Sequence, residues 1–411
     1  MKILLIHDKD PHVVDLEGGP TDAMCSERAG GLAVYLAHVE RGLRDRGWET
    51  ASIAFRDDPS DGPAEDGRHA LRAFRYRPRP TVVAAVDRII ADERPDVVHV
   101  HSMPMLPGRL VNALRRGRPL VWTFHDVSPT CFRGTRLRPP DDTLCRRKLG
   151  LGCVTCGCFR LGTDGSMLGD VVRVATRRRT FAGYRHASRI LVPSSYMRSL
   201  LVEHDMDGGR VDVIPLFSRY ADRDVGPPPA SGTPTLLFVG RLTREKGVLA
   251  FVDALGTLGD APWTARLIGD GAERSEAMRR IAAHGLADRI TFDSAAGPAA
   301  LEAAYRDSDI VVMPSLGPES FGLVGVEAMS LGRPVVAFDS GGVVEWLDDE
   351  VTGLLAAHGD VTDLARKIER LVRDPELRER MGAAGRARVR SAFTLARHLD
   401  RLTEVYGACA K

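Results

Sequence analysis

The chain has 411 residues, of which 44% are hydrophobic, and 57 basic against 55 acidic side chains leave a formal charge of only +2. That balance supplies no bulk field for nucleic acid, and the length suffices for two domains of ordinary size, each with its own core. No run of eighteen or more apolar residues occurs, and Lys2 to His7 reads as a strand instead of a secretory leader, so a cytoplasmic protein is expected.

Along the chain, apolar β-type runs alternate with helical patterns, the signature of parallel sheets covered by helices. A first domain, residues 1–218, holds predicted strands at Ile3 to Ile6, Thr50 to Phe55, Val97 to His101, Leu120 to Thr123 and Arg189 to Val192. Gly30 and Gly31 precede the amphipathic pattern Leu32, Leu36, Val39 and Leu43, and glycine lets backbone approach a ligand with no Cβ in the way. His125-Asp126 follows a strand, at the carboxyl edge where a parallel sheet presents ligand-binding groups. Five of the seven cysteines then crowd together: Cys131, Cys145, Cys153, Cys156 and Cys158. Four of them, Cys131, Cys145, Cys153 and Cys156, are candidate ligands of a structural zinc, with free or redox-active thiols and disulfides as the other readings. Arg173, Arg177, Arg178 and Arg179 make a basic helical segment, either a solvated face or a contact for anionic lipid or an anionic acceptor.

Residues 219–234, with Gly226-Pro227-Pro228-Pro229 and Ser231-Gly232, read as a linker. A second domain, residues 235–394, has predicted strands at Thr235 to Gly240, Thr264 to Ile268, Ile290 to Phe292, Ile310 to Met313 and Val335 to Phe338. Its first strand runs into a basic loop, Gly240-Arg241-Leu242-Thr243-Arg244-Glu245-Lys246-Gly247. The third loop of interest, Gly269-Asp270-Gly271-Ala272-Glu273, follows the next strand. Asp307-Ser308-Asp309 spells a metal-binding Asp-x-Asp, but its context is a helix end meeting a strand start, and the metal reading is rejected.

Pro314 to Met329 carries the most chemistry. It places Glu319 and Glu327 eight positions apart around a short helix expected from Phe321 to Leu331, with Ser320 as N-cap and Gly332 as terminator. The unpaired amides at Phe321, Gly322 and Leu323, with the positive end of the dipole, suit a diphosphate. Glu327 lies roughly 12 Å beyond Glu319 at ~1.5 Å per residue, about the span from a hexose across two phosphates to a ribose.

The Glu-x7-Glu pattern, followed by Gly332-Arg333-Pro334-Val335-Val336-Ala337, Ser340-Gly341-Gly342-Val343-Val344-Glu345 and Gly353-Leu354-Leu355, resembles the retaining glycosyltransferases of family 4. The resemblance implies the α/β GT-B architecture, two Rossmann-like domains with parallel sheets facing across a deep cleft, and a last helix, 395–411, that packs back on the first domain. It implies that Gly30 and Gly31 form the family's glycine pair, that Arg241 and Lys246 bind the diphosphate, and that His125 contacts the transferred sugar. Glu319 would bind sugar hydroxyls and Glu327 the ribose. The implied reaction moves a hexose-type sugar from a nucleotide-diphosphate sugar, a UDP-sugar foremost, to a hydroxyl-bearing acceptor. It would retain configuration, need no catalytic metal and use front-face displacement. A peripheral contact with the inner face of a membrane belongs to the same expectation.

Two departures stand out. Relatives commonly continue with Asn-Gly and an aspartate after Ile214-Pro215, whereas this chain has Leu216-Phe217-Ser218-Arg219, and many relatives lack the cysteine segment. A non-catalytic sugar-nucleotide sensor is the alternative function, although it has little need for His125 or Glu319. A zinc-ribbon nucleic-acid binder would leave most of the chain unexplained. The residues specify neither an acceptor nor an oligomeric state.

Overall fold

The computed structural model describes residues 1–8, 31–56, 68–72, 80–103, 106, 108–138, 141–158, 167–223, 232–293 and 297–410. Its first sheet is built from β1 (Lys2–His7), β2 (Glu49–Arg56), β3 (Arg68–Arg72), β4 (Val97–His101), β5 (Leu120–Thr123), β8 (Arg189–Val192) and β9 (Val211–Val213). All its pairings are parallel, in the order β3-β2-β1-β4-β5-β8-β9. The helices between these strands are α1 (Gly31–Asp45), α2 (Pro80–Glu93), α3 (Gly108–Leu114), α4 (Gly152–Thr155), α5 (Met167–Gly183) and α6 (Ser195–Glu203). A two-stranded antiparallel hairpin, β6 (Leu137–Arg138) and β7 (Thr143–Leu144), stands apart from the sheet.

The second sheet is also wholly parallel, in the order β12-β11-β10-β13-β14-β15. Its strands are β10 (Thr235–Val239), β11 (Thr264–Ile268), β12 (Ile290–Asp293), β13 (Ile310–Met313), β14 (Val335–Phe338) and β15 (Gly353–Ala356). The helices are α7 (Val248–Leu255), α8 (Arg274–Ala283), α9 (Pro298–Arg306), α10 (Leu323–Ser330), α11 (Val361–Arg373), α12 (Pro375–Ala392) and α13 (Leu395–Cys409).

The central strands β4, β5, β13 and β14 are buried at every residue; β13 and β14 accordingly read as unbroken apolar runs, β5 nearly so, and β4 carries His99 and His101 within its buried valines. Helix ends follow local chemistry. Ser194 caps α6 by accepting from the Met197 amide, and Asp360 caps α11 by accepting from the amides of Thr362 and Asp363. The strands β3, β9 and β15 fell outside the sequence reading. They are short outer strands of their sheets, flanked by turn residues, and gain their definition from the neighbour they pair with.

Two features join the domains. Tyr220 and Ala221, in the stretch read as linker, are buried in the core of the second domain. The final helix α13 crosses back and buries Leu399, Leu402 and Tyr406 against Ile3, Leu5, Leu36 and Val39 of the first domain. Gly42 on α1 permits that contact, since a Cβ there would lie 2.5 Å from a Leu399 methyl.

Candidate functional site

In an open parallel sheet, ligand-binding loops gather where the strand order reverses. In the second sheet the chain steps outward in opposite directions from β10 and β13, so the loops leaving these adjacent strands share one crevice. The first is the basic loop and the second carries Glu319. There the Lys246 ammonium donates to Glu319 Oε1 at 2.7 Å, and the Ser315 hydroxyl donates to the same oxygen at 2.5 Å. These groups line a cavity of about 190 Å³ together with Val239, Gly322 and Leu323. Burial by itself would push the Glu319 carboxyl up, but Lys246, the Ser315 hydrogen bond and the charge of Arg241 outweigh it and hold the group below its ordinary value. Glu319 is therefore ionised at neutral pH.

Glycines allow the loops to meet. Gly247 has φ +71°, and a Cβ there would fall 1.7 Å from the carbonyl oxygen of Pro314, so only glycine lets the basic loop lie against the Glu319 loop. Gly341, with φ +62°, likewise abuts the backbone of Glu319, and the Gly342 amide donates to the Glu319 carbonyl at 2.7 Å. The carboxylate is thus pinned from its own backbone. Arg241 is placed differently. Its side chain is 69% exposed and pairs with Glu245 at 3.0 Å, which puts it at the rim and not in the cavity wall.

The helix start differs from the expectation. α10 begins at Leu323, and its N-cap is Gly322 in a left-handed conformation at φ +90°. Ser320 is not the cap because both its polar groups are used across the cleft. Its hydroxyl donates to the His125 carbonyl at 2.6 Å, and its carbonyl accepts from the Ser194 hydroxyl at 2.6 Å. Phe321 turns its ring inward, fully buried against Phe393, and its carbonyl accepts from the Trp346 indole. Only the backbone of Phe321 can serve a ligand. The amides at the start of α10 have no intrahelical partner, as in any first turn, and Gly322, Leu323 and Val324 face the cavity.

Glu327 lies one turn beyond Val324 and Leu323 on the same face of α10. Its Oε1 is 3.1 Å from Arg219 Nε, and its Oε2 accepts from the Tyr305 hydroxyl at 3.2 Å. Burial raises its pKa above the ordinary value, against the pull of Arg219 and Tyr305.

The opposite wall comes from β4, β5 and the loop after β5. His101 Nδ1 and His125 Nε2 are 3.1 Å apart, so one ring donates to the other. His99 lies between the Tyr406 hydroxyl and the Thr123 hydroxyl, each at 2.6 Å, and His398 from α13 lies 2.8 Å from the Tyr35 hydroxyl. Burial lowers the pKa of His125 to about 3 and of His398 to about 4, and lowers His99 and His101 far below the usual value. All four rings are neutral at pH 7. Gly31 begins α1, while its neighbour Gly30 lies outside the described residues.

The cysteine segment gives the zinc expectation no support. Among the described residues, no group of three or more His, Cys, Asp or Glu is arranged to hold a metal ion. Cys131, Cys145, Cys153, Cys156 and Cys158 are all free. Cys156 Sγ instead lies 2.8 Å from Cys158 Sγ and 3.3 Å from the Cys153 carbonyl oxygen. Burial raises the thiol pKa of Cys153 and Cys158. Other contacts order the segment. The Leu149 amide donates to His204, and Asp142 in the β6–β7 hairpin pairs with Arg244 of the basic loop at 2.9 Å. The segment therefore touches the second domain beside the cavity. In the basic helical stretch, Arg177 is buried and donates to the Ser128 carbonyl, whereas Arg178 and Arg179 are exposed.

Several residues of this cluster were not anticipated: Ser315, Ser194, Arg219 and Tyr305. Ser315 was visible four positions before Glu319, but the others come from distant segments and carry no local signal. Asp309 of the rejected Asp-x-Asp accepts from the Thr235 amide at 2.8 Å, a strand-edge contact.

Two Rossmann-like domains facing across a cleft, with a charged cavity at the switch point of the second, define the GT-B class. The chain superposes on a sucrose-phosphate synthase from Thermosynechococcus elongatus with a TM-score of 0.70 at 23% identity, covering 99% of this chain and 98% of that one. It also superposes on Anabaena HepE in complex with UDP, with a TM-score of 0.65 at 19% identity over 99% and 100% of the two chains. Residues 30–216 match the family model of the glycosyl transferase 4-like domain, and residues 224–388 match glycosyl transferases group 1. The D-inositol 3-phosphate glycosyltransferase of Paenarthrobacter aurescens (strain TC1) is 36% identical over 90% of this chain and 91% of its own length. The alpha-D-kanosaminyltransferase of Streptomyces kanamyceticus is 33% identical over 42% of this chain, and that alignment spans 45% of the relative. The 2-deoxystreptamine glucosyltransferase of the same organism is 37% identical over 36% of this chain and 38% of its own length. The chain belongs to the group 1, family-4-like glycosyltransferases. Among the described residues no helix is long and apolar enough to cross a membrane.

Proposed function

We propose that this protein transfers a hexose-type sugar from a nucleotide-diphosphate sugar, a UDP-sugar foremost, to a hydroxyl of an acceptor, with retention of configuration. The observation that carries the reading is the ionised Glu319 paired with Lys246 in a cavity at the start of α10, one residue from the hydrogen bond that ties Ser320 to His125. In this reading the diphosphate lies over the amides of Gly322, Leu323 and Val324, with Lys246 beside it and Arg241 at the rim. These groups offset the charge that grows on the leaving phosphate.

Glu319 accepts hydrogen bonds from hydroxyls of the sugar, and the neutral His125 ring offers a nitrogen or an N–H to the same ring. The bond from the anomeric carbon to phosphate breaks while the acceptor oxygen attacks from the same face. Its proton passes to the departing phosphate oxygen, so no protein nucleophile is consumed. Positioning and charge stabilisation supply the rate. Glu327, one turn on, receives the ribose. Two of the relatives above are named for polyhydroxylated six-membered carbocycles, inositol phosphate and 2-deoxystreptamine, and we take an acceptor of that class as the first to test.

The test is incubation with UDP-, GDP-, ADP- and dTDP-sugars, with inositol phosphate or an aminocyclitol as acceptor, reading nucleotide release and the anomeric configuration of the product. The reading expects donor-dependent release with an α product from an α donor, and its loss in Glu319→Ala. Release that is unchanged in that variant, or absent with every donor, would sink it.

A further inference from the structure

Glu327 is enclosed by a residue that the family pattern does not lead one to expect. Arg219 leaves the connection between the domains and reaches under α10, where its side chain is only 14% exposed and that of Glu327 only 9%. The backbone on either side is fixed. The Ser218 amide donates to the Phe393 carbonyl at 3.0 Å, the Tyr220 amide donates to the Ser218 hydroxyl at 3.1 Å, and the Tyr220 ring lies 4.7 Å beneath the guanidinium. Tyr220 in turn packs edge-on against Tyr305, whose hydroxyl holds the other oxygen of Glu327. The guanidinium is thus stacked on the Tyr220 ring and paired with Glu327.

A carboxylate has two oxygens and about four acceptor sites. Arg219 is ion-paired with Oε1 and the Tyr305 hydroxyl donates to Oε2, and among the described residues these two contacts leave acceptor capacity on each oxygen. The two oxygens of one carboxylate suit two vicinal hydroxyls, which each donate one hydrogen bond. Glu327 also follows Leu323 and Val324, which line the cavity, by four and three positions, so it continues that face of the helix away from the diphosphate position.

We infer that Arg219 is a positioning residue of the ribose subsite: with Tyr305 it fixes the rotation of Glu327, so that the carboxylate presents one acceptor site to each of the 2′- and 3′-hydroxyls of a nucleoside diphosphate. The inference rests on the donor-site reading proposed above. It assigns to the interdomain connection a direct part in selecting ribose over deoxyribose, because the residue that orients the carboxylate belongs to that connection and not to α10.

The test titrates wild type, Arg219→Ala, Arg219→Lys and Glu327→Gln with UDP, GDP and ADP and with the 2′-deoxy form of each, by calorimetry. Wild type should prefer at least one ribonucleotide over its deoxy form by about ten- to a hundredfold, the worth of a hydrogen bond to a charged group. Arg219→Ala should erase most of that preference by weakening the ribonucleotide while leaving the deoxy form within about threefold. Arg219→Lys keeps the charge without the fixed geometry and should fall between. Combining Arg219→Ala with Glu327→Gln should cost little beyond either alone, as for two residues acting through one contact. Equal weakening of ribo and deoxy forms would make Arg219 a structural strut and overturn the inference, as would an unchanged preference. Because the deoxy form is titrated on the same protein, its retained binding shows that the variant is folded. A wild type that binds no nucleoside diphosphate would overturn the donor reading and this inference with it.

Discussion

The two walls of the cleft bury titratable groups to a similar depth and treat them oppositely. On the second-domain wall, Glu319 keeps its charge because Lys246 and Ser315 both reach the same oxygen. On the first-domain wall, four histidines have, among the described residues, one another, hydroxyls and a backbone carbonyl as hydrogen-bond partners, and burial leaves them neutral. Burial alone does not decide the charge. A partner of opposite sign within hydrogen-bond distance does, and a cluster of like groups supplies none. The second-domain wall is therefore built to hold charge, and the first-domain wall carries neutral hydrogen-bonding rings.

The sharpest way to break this contrast is to remove the charged anchor. Glu319→Ala should lower kcat by about a hundred- to a thousandfold, the scale of a lost electrostatic group in a closed site, with the far-UV spectrum unchanged. Near-wild-type turnover would take Glu319 out of the chemistry. Lys246→Ala should lower kcat/KM by a similar or somewhat smaller factor, and it leaves Glu319 buried without its cation. The Glu319 pKa should then rise, so the pH below which activity fails moves upward relative to wild type. An unshifted acid limb would contradict the pairing.

The histidine wall predicts a pH effect of the opposite origin. His125 and His398 bind no proton in the fold until about pH 3 and about pH 4, whereas in the unfolded chain they take one up near their ordinary value of 6.5. Stability from these rings is fully present above that value and is lost as pH falls below it, at up to about 1.4 kcal/mol per pH unit per ring. Denaturant melts between pH 7.5 and 5 should show it, and His398→Gln should flatten the slope. A slope unchanged in that variant would mean that the ring titrates normally. The smallest effect belongs to the hairpin. Asp142→Ala removes a partly exposed pair with Arg244 and should cost under about 0.5 kcal/mol, while changing the KM for acceptor more than that for donor if the cysteine segment borders the acceptor.

How far the sequence could be read depended on where each determinant lies. β4, β5, β8, β11, β13 and β14 have the bounds expected from the sequence, because each concentrates its buried valines, isoleucines and leucines in one short stretch. Lys246 precedes a glycine that the close approach of two loops demands, so its loop also carries a local mark. Ser320 shows the opposite. By its neighbours it should cap α10, yet two partners from the first domain take its hydroxyl and carbonyl, and Gly322 caps instead. The cysteines show the same limit. Their spacing permits a tetrahedral site, but spacing does not aim side chains, and it gave no sign that Cys156 meets Cys158.

The sequence by itself determined the alternation of strand and helix, the two-sheet architecture and the Glu-x7-Glu segment, because each rests on residues adjacent in the chain. Only the tertiary structure decided that Arg219 meets Glu327, that four histidines share one neutral wall, and that Ser320 bridges the cleft. Those pairings join segments tens to hundreds of residues apart. Their energetics depend on burial and distance, and neither quantity exists until the two domains and α13 have packed together.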